Sequence, residues 1–233
     1  MESGGVGENT PVTPLSETDP HLGQPVLTLG PEPSSARLTM IMLHGRGASA
    51  EDILALGGEF GTTDVAFLAP QAAGRTWYPY SFLAPLEDNE PGITSGLRVI
   101  AALVDSLVAR QVPYERIGLL GFSQGACLSL EFAARHPQPY AAIVGLSGGL
   151  IGPPGTPRDY AGSLAGAPVF LGCSDVDAHI PLARVRETAD VFRRMGAPVD
   201  ERIYPRMGHT VNQDEIRAVN ALLLSNPRHG YDT

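Results

Sequence analysis

From Pro25 onward, short apolar runs alternate with stretches of helical periodicity. Seven runs are apolar, brief and bounded by turn residues, and they predict strands at Val26–Leu29, Leu38–His44, Val65–Ala69, Ile117–Phe122, Ala141–Leu146, Val169–Gly172 and Glu201–Tyr204. The second run is apolar at nearly every position, as a strand buried on both faces must be. Helices are expected at Ala50–Leu56, Ile93–Arg110, Gln124–Arg135, Pro181–Met195 and Val211–Leu224. In the second of these, Val99, Leu103, Val104, Leu107 and Val108 follow the i, i+4, i+5, i+8, i+9 stripe of a helix lying on a sheet. Strand–helix alternation of this kind predicts an α/β fold with a mostly parallel central sheet flanked by helices.

Two segments stand outside the alternation. Met1–Gln24 is rich in Gly, Pro, Ser, Thr and Glu, and too few apolar side chains are present to offset the entropy of ordering it. The expected organisation is therefore a disordered tail over 1–24 and one domain over 25–233. Gln71–Gly92 places Trp77, Tyr78, Tyr80 and Phe82 among prolines and glycines. Long irregular segments are often functional, and this one follows a strand end, where open α/β sheets hold their sites.

Composition narrows the function classes. With 43% hydrophobic and 18% charged residues, the 233-residue chain is that of a folded protein. A net charge of −9 without a basic cluster argues against nucleic-acid binding. All sixteen basic residues are Arg, which excludes Schiff-base lysines and a Ser-Lys dyad. Cys127 and Cys173 are too few for a disulfide framework and lack metal-ligand spacing. No signal-peptide pattern is visible, and the longest apolar stretch, Ala141–Leu150, is too short to cross a bilayer. A soluble cytoplasmic protein is the expectation.

Gly121-Phe122-Ser123-Gln124-Gly125 reads G-x-S-x-G between a predicted strand and a predicted helix. That context is the nucleophile elbow: a sharp turn presents the serine Oγ, and glycines two residues away on each side avoid collisions with neighbouring backbone. Chemistry of this type needs a base and an acid, in the order Ser, acid, His. Of the later histidines, His229 lies in a polar tail and His179 on the acid's own loop. His209 sits in a turn after the last strand, where it can reach the elbow. Asp175 and Asp177 both stand at a strand end, and spacing does not choose between them. For the oxyanion, one donor should be the Gln124 backbone N–H. The other should come from His44-Gly45-Arg46-Gly47, directly after the buried strand, with Arg46 as donor and His44 as a structural residue.

These motifs resemble the carboxylesterase/phospholipase family of α/β-hydrolases, which includes the acyl-protein thioesterases. Leu43-His44-Gly45-Arg46-Gly47 resembles its L-H-G-x-G turn, and Gly121-Phe122-Ser123-Gln124-Gly125 its G-F-S-Q-G elbow. Asp177-Ala178-His179-Ile180-Pro181 is similar to its D-x-x-V-P loop, Gly208-His209 to its G-H turn, and Ala69-Pro70 with Trp77-Tyr78 to its A-P…W-(Y/F) stretch. The resemblance spans about 38–224 and selects Asp177 as the acid. Arg46 stands where the thioesterases carry Leu, which resembles a bacterial esterase subgroup more than the thioesterases proper.

The resemblance implies a single α/β-hydrolase domain without a large cap and a triad of Ser123, Asp177 and His209. It also implies hydrolysis of small carboxylic esters, no cofactor or metal, and frequent homodimers. Thioesterase or lysophospholipase-like activity is the alternative within the family. A non-hydrolytic binding protein is the alternative outside it. With only about twenty residues between Ala141–Leu146 and Val169–Gly172, the acyl pocket should be walled by short loops. Trp77 and the Gly149–Pro157 turn are the expected walls.

Overall fold

The computed structural model describes residues 19–225. Seven strands, β1 (Val26–Leu29), β2 (Leu38–Leu43), β3 (Val65–Pro70), β4 (Ile117–Phe122), β5 (Ala142–Leu146), β6 (Val169–Ser174) and β7 (Val199–Tyr204), form one sheet. Their order is β1-β3-β2-β4-β5-β6-β7, and every pairing is parallel except β1 on β3. Each expected strand is present. β7 begins two residues before the expected start, and His44 lies just beyond β2.

Five helices cover the two faces: α1 (Ala50–Glu59), α2 (Gly92–Ala109), α3 (Gln124–Arg135), α4 (Leu182–Arg194) and α5 (Gln213–Ser225). Strand side chains divide by the two-residue period of a pleated sheet. Ile41, Leu43, Leu119, Ile143 and Leu171 join the core formed with α2, α3 and α4. Met40, Met42, Leu120, Val144 and Phe170 join the core formed with α1 and α5. Burial on both sides explains why β2 reads as continuously apolar.

Two helix expectations change. The buried face of α2 is Ile93, Leu97, Ile100, Val104 and Leu107, whereas Val108 is 38% exposed. The helix carries two adjacent apolar stripes, and periodicity cannot tell which one meets the sheet. Val99 and Leu103, on the other stripe, line a cleft with residues 19–24. The full length of α2 is also apolar enough to cross a bilayer by length and composition. Thr94, Ser95 and Arg98 break its apolar run, so it does not stand out as a continuous stretch.

The expected tail is likewise shorter at its inner end. Residues 1–18 lie outside the described residues, but Asp19–Gln24 is packed against the domain. His21 is buried, its Nε2–H donating to the Trp77 carbonyl at 2.8 Å and its Nδ1 accepting the Ala73 N–H at 3.1 Å. The Ser95 hydroxyl donates to Asp19 and accepts the His21 N–H at 3.0 Å. Composition missed this because four hydrogen bonds, not apolar area, hold the segment.

Candidate active site

Ser123 stands at the end of β4, near the middle of the sheet. Its backbone is in the positive-φ region (φ 54°, ψ −119°), a conformation that costs a non-glycine residue about 1–3 kcal/mol. The surroundings enforce it. The Ser123 N–H donates to the Leu146 carbonyl at 2.9 Å, and its own carbonyl accepts Cys127 N–H at 3.0 Å to start α3. The flanking glycines are sterically required. A Cβ on Gly121 would lie 2.3 Å from the Gly125 carbonyl carbon, and one on Gly125 would lie 2.2 Å from the Leu43 oxygen.

Strand register then delivers the neighbouring turn. Leu43 of β2 pairs with Gly121 of β4, so the residues after β2 emerge beside those after β4. A Cβ on Gly45 would come within 3.4 Å of Ser123 Cβ. Arg46 and Gln124 line the same cavity as Ser123. The turn is pinned by His44, whose ring is buried and held neutral by burial. Its Nε2 accepts the Ala72 N–H at 3.1 Å, which leaves Nδ1–H to donate to the Gly45 carbonyl at 2.8 Å.

Loops after β6 and β7 bring Asp177 and His209 to Ser123. His209 Nε2 lies 2.7 Å from Ser123 Oγ, and His209 Nδ1 lies 2.7 Å from Asp177 Oδ2. The Asp177 side chain is fully buried and His209 is 19% exposed. Burial alone would raise the Asp177 pKa. Hydrogen bonds from His209 and from the N–H groups of His179 and Ile180 hold it below the usual carboxylate range. An ionised carboxylate accepts only, so Nδ1 carries the proton and Nε2 accepts from the serine hydroxyl. Asp175 is exposed and instead accepts the Arg206 N–H at 2.7 Å, bracing the two loops together. His229 lies outside the described residues.

The cavity over Ser123 has a volume of about 490 Å³. Tyr78, Phe82, Phe122 and Ile180 give it apolar walls, and Arg46, His179 and His209 give it polar ones. Cys127 also lines it, but burial pushes that thiol up to about 12, so it is protonated at neutral pH. The His179 ring packs edge-on against His209 with centroids 4.8 Å apart.

Trp77 does not line this cavity. It is fully buried beneath it, with the indole N–H donating to the His44 carbonyl at 2.9 Å and the ring beside His21 and His44. The residue after it, Tyr78, supplies the wall. Both aromatics of the doublet are buried, and sequence does not say which one faces the cavity. The Gly149–Pro157 turn is also absent from the lining and stands behind it. Its Gly152 N–H donates to the Phe82 carbonyl at 2.8 Å. Buried Arg184 donates to the Leu150 and Gly152 carbonyls at 2.6 and 2.7 Å and lies 5.7 Å over the Phe82 ring.

Against known proteins, the phospholipase/carboxylesterase family matches residues 30–225. The chain belongs to that family. It is a family of serine hydrolases acting on ester bonds. The crystal structure of a phospholipase/carboxylesterase from Dyadobacter fermentans is 38% identical, with a TM-score of 0.83 over 87% of this chain and 97% of that one. A Bacillus cereus carboxylesterase shares the fold at 16% identity, with a TM-score of 0.68 over 91% and 100% of the two chains. Acyl-protein thioesterase 1 of Eremothecium gossypii is 26% identical over 140 residues, which are 58% of each chain. The chain thus spans little more than half the length of this curated relative.

Proposed function

We propose that this phospholipase/carboxylesterase family member is a serine carboxylesterase that hydrolyses short- to medium-chain esters through an acyl-enzyme on Ser123. The observation that carries the reading is the position of His209, 2.7 Å from both Ser123 Oγ and Asp177 Oδ2. Ser123 Oγ attacks the ester carbonyl carbon while its proton passes to His209 Nε2. Asp177 keeps the ring oriented and stabilises the imidazolium. The backbone N–H groups of Arg46 and Gln124 stabilise the oxyanion, each such donor being worth about 2.7–4 kcal/mol. His209 then protonates the departing alcohol, the acyl group remains on Ser123, and water activated by His209 releases the acid.

Chain length follows from the walls. Tyr78, Phe82, Phe122 and Ile180 bound an open cavity backed by loops fixed in place by Arg184. Each methylene buried there contributes about 0.8 kcal/mol, and carbons beyond the rim contribute little to transition-state binding. On p-nitrophenyl esters, kcat/KM is expected to peak between acetate and hexanoate and to fall by palmitate. An optimum at long chains, measured below the onset of micelles, contradicts the short-chain assignment.

A further inference from the structure

The cavity over Ser123 has a charge bias that a neutral ester does not use. Among the described residues no Asp or Glu lines it, although the protein carries a net charge of −9. Arg46 lines it and has no carboxylate partner among the described residues. Its guanidinium donates to the carbonyls of Pro79 and Tyr80, both on the cavity wall. Those two bonds fix the orientation of the group but leave its charge uncompensated, since a carbonyl carries no net charge. Two of its five N–H donors are engaged, and the remainder are available to a ligand.

A second observation points the same way. Tyr78 is buried on the same wall, and its hydroxyl faces only the Cys127 thiol, a weak hydrogen-bond partner. A ligand oxygen is a stronger partner than a thiol and would compete for this hydroxyl. A fixed guanidinium fork and a weakly held hydroxyl lining one cavity match an oxygen-rich anion such as a carboxylate. Arg46 immediately follows Gly45, whose backbone stands against Ser123. Arg46 and Ser123 line one cavity, so an anion held by the guanidinium shares that cavity with the reacting carbonyl.

We propose that the substrate is an ester bearing a carboxylate, which Arg46 receives while Ser123 acts on the ester bond. This rests on the reading of Ser123 as the nucleophile. The carboxylate belongs either to the acyl part, as in a dicarboxylic acid monoester, or to the alcohol part, as in an acylated hydroxy acid.

Two matched pairs test this. Mono-p-nitrophenyl glutarate against p-nitrophenyl butyrate places the charge on the acyl side. 4-Carboxyphenyl butyrate against phenyl butyrate places it on the alcohol side. Wild-type protein is expected to prefer the charged member of one pair by about tenfold or more in kcat/KM, the scale of a charge-assisted hydrogen-bonded pair. The pair that shows it assigns the side.

In Arg46→Gln that ratio is expected to collapse to within about twofold of unity, and Arg46→Lys to retain part of it. Because the ratio is taken within each protein, a general loss from disturbing the turn cancels. Should Arg46→Gln fail to fold, the wild-type ratio in about 0.5 M salt serves instead, and it is expected to shrink by screening. Charged esters cleaved no faster than their neutral partners overturn the proposal, as does a preference that survives Arg46→Gln. Hydrolysis of none of the four esters removes the esterase reading itself, and this proposal with it.

Discussion

The side chain of Gln124 clasps the backbone of Trp77: its Oε1 accepts the Trp77 N–H at 2.8 Å, while its Nε2 donates to the next carbonyl, Tyr78, at 2.7 Å. The residue after the serine therefore does two things. In the proposed mechanism its backbone N–H serves the oxyanion, and its side chain ties the aromatic segment that walls the cavity to the start of α3. Hydrophobic pattern carried no sign of the second role.

Removing that clasp should be felt at a distance. Gln124→Ala keeps the backbone N–H but leaves the buried Trp77 N–H and Tyr78 carbonyl without partners, each costing about 1–3 kcal/mol. We expect a lower melting temperature and a kcat/KM for p-nitrophenyl butyrate reduced by more than about tenfold. Gln124→Glu can still accept from Trp77 but cannot donate to Tyr78, so it should fall between. Equal stability and activity in Gln124→Ala would show that the aromatic segment is held by its other contacts alone.

The two aspartates should separate sharply. Asp177→Asn removes the acceptor that fixes the His209 tautomer, and by analogy with other triads it should lower kcat about 10⁴-fold. Asp175→Asn keeps an oxygen able to accept the Arg206 N–H, so a change within about threefold is expected. Steady-state kinetics on both variants checks this. The reverse ranking would move the acid's role to Asp175.

Much of this was legible in the chain. The strands and the order of the elbow, acid and histidine loops followed from apolar runs and turn residues, because a two-sided buried sheet leaves little choice of residue. The choice between Trp77 and Tyr78 as wall was not legible. Both are aromatic neighbours in an irregular segment without a period to orient them. The anchoring of His21 under Trp77 was equally hidden, since isolated side-chain-to-backbone bonds leave no pattern in composition. Asp177 and Asp175 were indistinguishable by spacing, and their separation came from the family resemblance and from three-dimensional contacts.

A buried acid behind the site gives a pH test of the packing. Glu215 is fully buried, and burial pushes its carboxyl up to about 7 from 4.5. One oxygen accepts the Asn212 N–H at 2.8 Å, and the other, against Gly172, has no partner among the described residues. Its folded pKa is raised, so between about 4.5 and 7 the native state holds more protons than the unfolded chain. Stability from this group therefore falls as pH rises through that window, by at most about 3 kcal/mol. Glu215→Gln removes the titration. Its melting temperature relative to wild type should rise by several degrees between pH 5 and pH 8. An unchanged difference would mean that Glu215 titrates normally.

The central claim is that Ser123 is the nucleophile, and active-site labelling tests it most directly. Wild-type protein treated with a fluorophosphonate should gain one covalent adduct by intact mass, on the peptide containing Ser123, with parallel loss of esterase activity. Ser123→Ala, with its fold checked by circular dichroism, should take up no adduct and hydrolyse p-nitrophenyl butyrate near background. An adduct on another residue, or a Ser123→Ala protein that keeps about a tenth of the wild-type kcat, would contradict the account.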